Sequence, residues 1–290
     1  MAVRALLIVT LSYVIALAAA AGAVVLWPWP STPLIDVAVG DFVATVVIFL
    51  FSVVYRNSSF YDPYWSVAPP IIAVYLVLGF EGDALSARQG LVIALSAVYG
   101  ARLTYNWASG WTGLDHEDWR YVDLRRQTGV LFPAVNFLGI MLFPTVLVYL
   151  GCVPMIPALI TGDAALNGWD LLGAIVLLGG TIIEGVADLQ LRAFVKERTE
   201  RGAIMDRGLW AWSRHPNYFG EISVWFGLMF FGIASGAFEL WMASGVAAMV
   251  FLFVVISIPM MERRQLAKKP AYADYQRRTS MLIPLPPRRR

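Results

Sequence analysis

Long apolar runs separated by short polar breaks dominate the 290-residue chain. Each run approaches the ~20 residues that an α-helix needs to cross the hydrocarbon of a bilayer. Spans are expected at 5–27, 36–55, 64–80, 89–108, 130–150, 170–193, 218–236 and 239–261. The pattern predicts an all-α, polytopic integral membrane bundle of 7–8 transmembrane helices. It forms one domain over 1–290, with N-terminal helices in 1–56, a core in 57–290 and a tail at 262–290. The first run is unbroken from Ala5 to Trp27 and has no clear small-residue cleavage site after it. A secretory signal has an apolar stretch of only ~7–15 residues, so a retained helix is expected. No fixed-period repeat or low-complexity segment breaks the pattern.

Composition agrees: 59% of residues are hydrophobic, 14% are charged and the mean hydropathy is +0.65. Arg4, Arg56, Arg120, Arg125, Arg126, the 196–214 segment and the 263–290 tail fall on one side of the expected bundle. The opposite loops hold only Arg88. By the positive-inside rule both termini are cytosolic, as in a bacterial inner-membrane protein, with Arg288, Arg289 and Arg290 against anionic headgroups. A net charge of +2 makes no case for nucleic acid. The single cysteine, Cys152, excludes an internal disulfide, and with only His116 and His215 as histidines no metal site is expected. The chain is expected to act as a monomer in contact with membrane lipid.

Polar residues within or bordering such spans are expensive and usually face a cavity or a partner. The densest set is Arg214-His215-Pro216-Asn217-Tyr218-Phe219-Gly220-Glu221, which reads as a binding site for something polar and anionic. Tyr99, Arg102 and Asn106 share one helical face, as do Glu184, Asp188 and Arg192, and Asp188 could pair with Arg192 within the helix. Asp62 sits in Tyr61-Asp62-Pro63-Tyr64-Trp65 at the start of the third span. The stretch from Trp107 to Tyr121 interleaves aromatics with glycines and charges more densely than an interfacial aromatic belt requires, and reads as a ligand-facing loop.

Several of these motifs resemble those of the membrane-embedded steroid 5α-reductases and their bacterial relatives, over the C-terminal three quarters of the chain. Asn217-Tyr218-Phe219-Gly220-Glu221 is similar to that family's Asn-Phe-Leu-Gly-Glu cofactor motif. Ala273-Asp274-Tyr275 through Leu282-Ile283-Pro284 is similar to its Glu-Asp-Tyr to Leu-Ile-Pro ending. Tyr99 with Arg102 fits its Tyr-x-x-Arg, and Asp188 with Arg192 fits its Ser-Asp-Tyr-Ile-Leu-Arg segment. Aligning on Pro69 puts Tyr61-Asp62 where the family has a Gln-Glu pair facing the steroid ketone; the carboxylate is kept and the glutamine is not. The first span has no counterpart in the animal enzymes.

The resemblance implies NADPH-dependent reduction of a carbon–carbon double bond conjugated to a ketone, in a lipophilic, 3-oxo-Δ4-steroid-like substrate. Hydride attack at the β carbon pushes charge onto the carbonyl oxygen, where Tyr99 and a protonated Asp62 would donate hydrogen bonds. Arg102, Arg120, Arg126, Arg192, Arg214, His215, Arg277 and Arg278 would meet the phosphates of NADPH. Asn106, Asp188, Asn217, Tyr218 and Glu221 would hold ribose hydroxyls and the nicotinamide amide. No Gly-x-Gly-x-x-Gly turn follows a predicted strand, so a Rossmann domain is not expected.

A second resemblance competes with the first. S-adenosylmethionine-dependent membrane methyltransferases of the isoprenylcysteine carboxyl methyltransferase type also carry Arg-His-Pro-x-Tyr and a later Glu with Tyr-x-x-Tyr, which Glu262, Tyr272 and Tyr275 fit. The upstream set of Asp62, Tyr99 and Arg102 and the loop from Trp107 to Tyr121 favours the reductase, because a small methyl donor has no evident need of it. Sterol carbon-fourteen reductases share Arg-His-Pro-Asn-Tyr and would keep the same cofactor. A transporter would instead spread its polar residues along a path reaching both faces.

Overall fold

The computed structural model describes residues 2–26, 30–80, 85–200 and 202–287. Every expected span coincides with helix. Four early helices, α1 (Ala2–Leu26), α2 (Pro33–Val54), α3 (Tyr64–Phe80) and α4 (Ala87–Gly110), lead into a long helical segment over Trp119–Thr161. That segment contains α5 (Trp119–Thr128), α6 (Phe132–Val135) and α7 (Phe143–Cys152). Then follow α8 (Gly168–Glu197), α9 (Pro216–Ala234), α10 (Ser244–Phe251), α11 (Ile258–Lys268) and the short α12 (Tyr272–Arg278). No β-strand forms among the described residues; a single bridge joins Ser213 to Ser280. The result is an all-α polytopic membrane bundle.

Among the described residues, six segments are long and apolar enough to cross a membrane. α4 and α9 fall outside that group, and their sequences give the reason. α4 carries Arg88, Gln89, Arg102 and Asn106, and α9 opens with Asn217 and Glu221. Both helices pack against protein, so their polar residues find partners inside the bundle.

Local sequence sets the ends and the irregularities. Ser86 and Gln89 form a reciprocal capping box on α4, and Asn167 and Asp170 form one on α8. Widened π-turns at Asn136–Leu142 and Leu252–Ser257 each run into a helix with a proline near its first position, Pro144 and Pro259. A proline ring crowds the preceding turn and cannot donate to it. The chain answers with longer bonds, Phe143 N–H to Leu138 O and Ile258 N–H to Phe253 O.

The most extensive interface is the antiparallel seam of α8 and α9, built on glycines spaced seven apart, Gly173 and Gly180 against Gly220 and Gly227. A Cβ on Gly220 would lie 2.5 Å from the Gly180 carbonyl oxygen, and one on Gly180 would lie 2.6 Å from that of Gly220. Small residues let backbones approach this closely in a bilayer, where dispersion rather than water exclusion holds helices together. Gly220→Val is therefore expected to destabilise the fold by about 1–3 kcal/mol and to displace Glu221. A thermal unfolding midpoint equal to that of the natural protein would contradict this.

At the end of the bundle away from the basic loops, Arg88 ties three elements together. Its guanidinium meets Asp170 through Nε at 2.7 Å and Nη2 at 2.9 Å, and also donates to the carbonyls of Ala164 (2.7 Å), Ala165 (3.1 Å) and Ala234 (3.1 Å). Both Arg88 and Asp170 are buried. The lone basic residue expected in the opposite loops is thus a structural clamp.

Candidate functional site

α4 and α8 run parallel, so a polar face on one meets a polar face on the other at matching depth. Arg102 forms ion pairs with Glu184 and, at 3.1 Å, with Asp188. Asn106 donates to Asp188 at 2.9 Å, and Asn217 of α9 donates to the other Asp188 oxygen at 3.4 Å. Arg192 donates to Ser109 Oγ at 2.6 Å and to the Asn106 carbonyl. Asp188 and Arg192 therefore each bind α4 rather than one another, unlike the intrahelical pairing allowed by their spacing. One turn deeper, Glu221 Oε1 accepts from the Tyr99 hydroxyl at 2.8 Å and the Trp225 indole at 3.0 Å. Asn217 Oδ1 is buried and has no hydrogen-bond partner among the described residues, and Glu221 Oε2 receives no amide, hydroxyl or indole bond but has the Glu184 carboxyl within hydrogen-bonding reach.

Beside this cluster, toward the basic end, lies a cavity of ≈ 280 Å³ between the end of α8, the 204–218 segment, α11 and α12. Asn217, Tyr218, Arg214 and His215 line it, together with Arg198 and Lys269. Tyr218 is held from two sides, stacked on His215 (centroids 5.3 Å) and against Phe253 (4.8 Å), which the second π-turn places there. Burial and the neighbouring Arg198 guanidinium push the Lys269 ammonium below its ordinary range. Two cations facing one cavity with no acid between them create a demand for an anion. Burial also raises the Tyr272 and Tyr275 phenols above their ordinary range; Tyr275 spends its hydroxyl on the Trp210 carbonyl at 2.5 Å.

Arg214 is only partly available to a ligand. Its Nε meets Glu262 at 2.6 Å and its Nη1 donates to the carbonyls of Gln276 (2.9 Å) and Thr279 (2.6 Å). His215 Nε2 lies 3.2 Å and Gln276 Nε2 2.7 Å from the same Glu262 carboxylate. Glu262 is thus the hub that ties the start of α9 and the C-terminal tail to α11 beside the cavity.

Asp62 stands in a third group. Tyr121 donates to its Oδ1 at 2.8 Å. Arg120 is paired with Asp118 through Nε (2.8 Å) and Nη2 (3.2 Å), and lies within electrostatic reach of both Asp62 and Tyr218. Most of the polar density in the stretch from Trp107 to Tyr121 has a structural use. Asn57 donates to the carbonyls of Leu114 and His116, Ser58 N–H to Glu117, and Asp118 N–H to Ser59 Oγ. These bonds sew the loop to the 57–59 turn.

The structure therefore gathers Tyr99, Arg102, Asn106, Asp188, Arg192, Asn217 and Glu221 into one cluster, puts Arg214, His215, Asn217 and Tyr218 on the cavity wall, and sets Asp62 and Arg120 alongside. It does not bring in Arg126, which is exposed on α5 while Arg125 makes the contacts, to Glu117 (2.7 Å) and over the Phe132 ring (4.0 Å). Arg277 is exposed and paired with Asp274, and Arg278 is paired with Asp206. Sequence reasoning passed over Trp225, Arg198 and Lys269. The last two lie in basic stretches that look like headgroup contacts, and only the fold of the tail brings them to one cavity.

Residues 48–279 match the family described as a protein of unknown function, DUF1295. An uncharacterized protein of Schizosaccharomyces pombe is 26% identical over 268 residues, covering 84% of this chain and 77% of that protein. No solved structure matches the chain. The family match covers the whole cluster and cavity, from Asp62 to Arg278, and the chain belongs to the DUF1295 family.

Proposed function

We propose that this protein is a membrane-embedded reductase that uses NADPH to reduce an activated carbon–carbon double bond in a lipophilic enone. The observation that carries the reading is the joined arrangement of cavity and cluster. Arg198, Arg214 and Lys269 border the same hollow as Asn217 and Tyr218, and Asn217 carries a buried, unpartnered Oδ1 one turn before Glu221 on α9. The first three suit phosphates, and the orphaned Asn217 Oδ1 suits the amide N–H of a nicotinamide. NADPH would be held by these residues, and when bound supplies a hydride. Arg102 is neutralised by Glu184 and Asp188 and would position the site rather than grip phosphate, while Arg192 is held by Ser109 and the Asn106 carbonyl and keeps its charge.

This chain's own part in the chemistry is to bind, orient and stabilise developing charge, while the enolate takes its proton at the α carbon from water. Tyr99 has one hydroxyl proton, bonded to Glu221 in this structure, and would turn it to the substrate carbonyl oxygen, where charge develops, by giving up that bond. Asp62, oriented by Tyr121, would donate to the same oxygen in its protonated form.

One observation favours the methyltransferase as a second reading: Tyr272 and Tyr275 wall the same cavity as Arg214, which Glu262 holds. Charge favours the reductase: S-adenosylmethionine offers one carboxylate and a sulfonium cation, NADPH several phosphate charges, to a wall that carries Arg198, Arg214 and Lys269.

Thermal stability of the purified protein with each ligand separates the two. A ligand at about 100 times its Kd stabilises the folded state by about 2.7 kcal/mol. NADPH is expected to raise the unfolding midpoint and S-adenosylmethionine to leave it unchanged, and Asn217→Ala is expected to abolish the NADPH shift. A rise with S-adenosylmethionine alone would overturn the reductase.

A further inference from the structure

A second cavity of ≈ 230 Å³ lies between α1, α2 and α3; it shares no lining residue with the cavity above, and its Tyr13 stands within electrostatic reach of Asp62 and Tyr121. Small residues keep it open: Ala16 and Ala20 on α1, Gly40 and Ala44 on α2, Ala68 on α3. Its rim includes Val25 and Ile71, which are exposed on the lipid-facing surface of their helices, so the groove opens sideways toward the bilayer.

The wall is apolar except for Asp36, Asp41 and the hydroxyls of Tyr13, Tyr64 and Tyr75, and it includes no lysine, arginine or histidine. Most of these polar groups are satisfied within the protein. Tyr75 donates to Asp36 at 2.9 Å, Tyr13 to the Phe60 carbonyl at 3.0 Å, and Tyr64 to Asp41 Oδ1 at 2.9 Å. That leaves Asp41 Oδ2. It is buried, on a side chain 8% exposed, and has no partner among the described residues. A carboxyl oxygen in such surroundings is costly unless something bonds to it.

We propose that this groove binds a membrane-soluble alcohol, its apolar body lying among α1, α2 and α3 and its hydroxyl paired with Asp41 Oδ2. The choice of head group follows from the wall. An anionic head would face two acids with no cation to offset them. A hydroxyl both donates and accepts, so it pairs with Asp41 whether that carboxyl is ionised or protonated. α1, Asp36 and Asp41 precede residue 48, where the family match begins, while the α3 wall lies within it, and Asp41 is none of the residues assigned to NADPH or to the substrate ketone, so binding here is read separately from reductase turnover.

The test is photolabelling of the full chain in phosphatidylcholine nanodiscs with a diazirine-bearing long-chain alcohol, alongside the matching carboxylic acid and hydrocarbon. The alcohol is expected to label peptides spanning 13–25 and 64–75 saturably, and the other two probes are not. Competition by unlabelled hexadecanol or by a sterol tells whether a linear or a polycyclic alcohol is preferred. Asp41→Leu is expected to weaken saturable labelling about tenfold, the loss of one hydrogen bond to a carboxyl group. Gly40→Leu supplies a second variant: a Cβ there has ordinary room, 3.8 Å from Val24, so the helices stay packed while the longer side chain fills the groove and abolishes labelling. Equal labelling by the hydrocarbon, or undiminished alcohol labelling in a folded Gly40→Leu protein, would overturn the proposal.

Discussion

Replacing Arg88 by alanine is expected to destabilise the fold by about 3–5 kcal/mol, the range for breaking a buried ion pair from one side. The change strands more than Asp170. The carbonyls of Ala164, Ala165 and Ala234 lose their donor together, at the point where the 161–168 connection meets the end of α9. Asp170 would keep only its capping bond from Asn167 N–H, 2.9 Å, and would carry an uncompensated buried charge. Arg88→Lys keeps the charge but cannot reach several acceptors at once, so an intermediate loss is expected. Reversible unfolding in detergent measures both, and an Arg88→Ala midpoint within a degree of the natural protein would reject the clamp.

The second large effect concerns turnover. Tyr99→Phe is expected to lower kcat by about 10²–10³, the typical loss when one donor to a developing oxyanion is removed, while leaving stabilisation by NADPH intact. Asp62→Asn is expected to behave the same way. The split between turnover and cofactor binding matters, because Tyr99 also bonds Glu221 and could act through it. If Tyr99→Phe loses the NADPH shift together with turnover, the tyrosine positions the cofactor and the donor lies elsewhere. Unchanged turnover in both variants would reject the proposed acid pair.

Helix content and placement were readable because each apolar run is long and each break is short. What the sequence could not supply was adjacency. Periodicity put Tyr99, Arg102 and Asn106 on one face and Glu184, Asp188 and Arg192 on another, but not that α4 and α8 run in parallel and spend those faces on each other. Arg102, read as a phosphate ligand, is neutralised for that reason, and Arg192 is tied to Ser109 and the Asn106 carbonyl. Likewise the charges between Trp107 and Tyr121 looked ligand-facing, whereas they fasten a loop to the turn at Asn57 and Ser58. The proline-driven π-turn that brings Phe253 onto Tyr218 leaves no periodic signature. Asp36 and Asp41 were hidden by being the only acids in an otherwise apolar second span.

The central claim is that the cavity beside Asn217 and Glu221 serves hydride transfer from a phosphorylated dinucleotide. The most direct test supplies membranes containing the protein with a 3-oxo-Δ4 steroid, NADPH deuterated at the nicotinamide C4 position and methyl-labelled S-adenosylmethionine together, and reads the lipid products by mass spectrometry. The predicted result is one deuterium on the carbon β to the ketone, with the label lost in Asn217→Ala. Methyl label in a lipid or a protein carboxylate, with no deuterium transferred, would contradict the account.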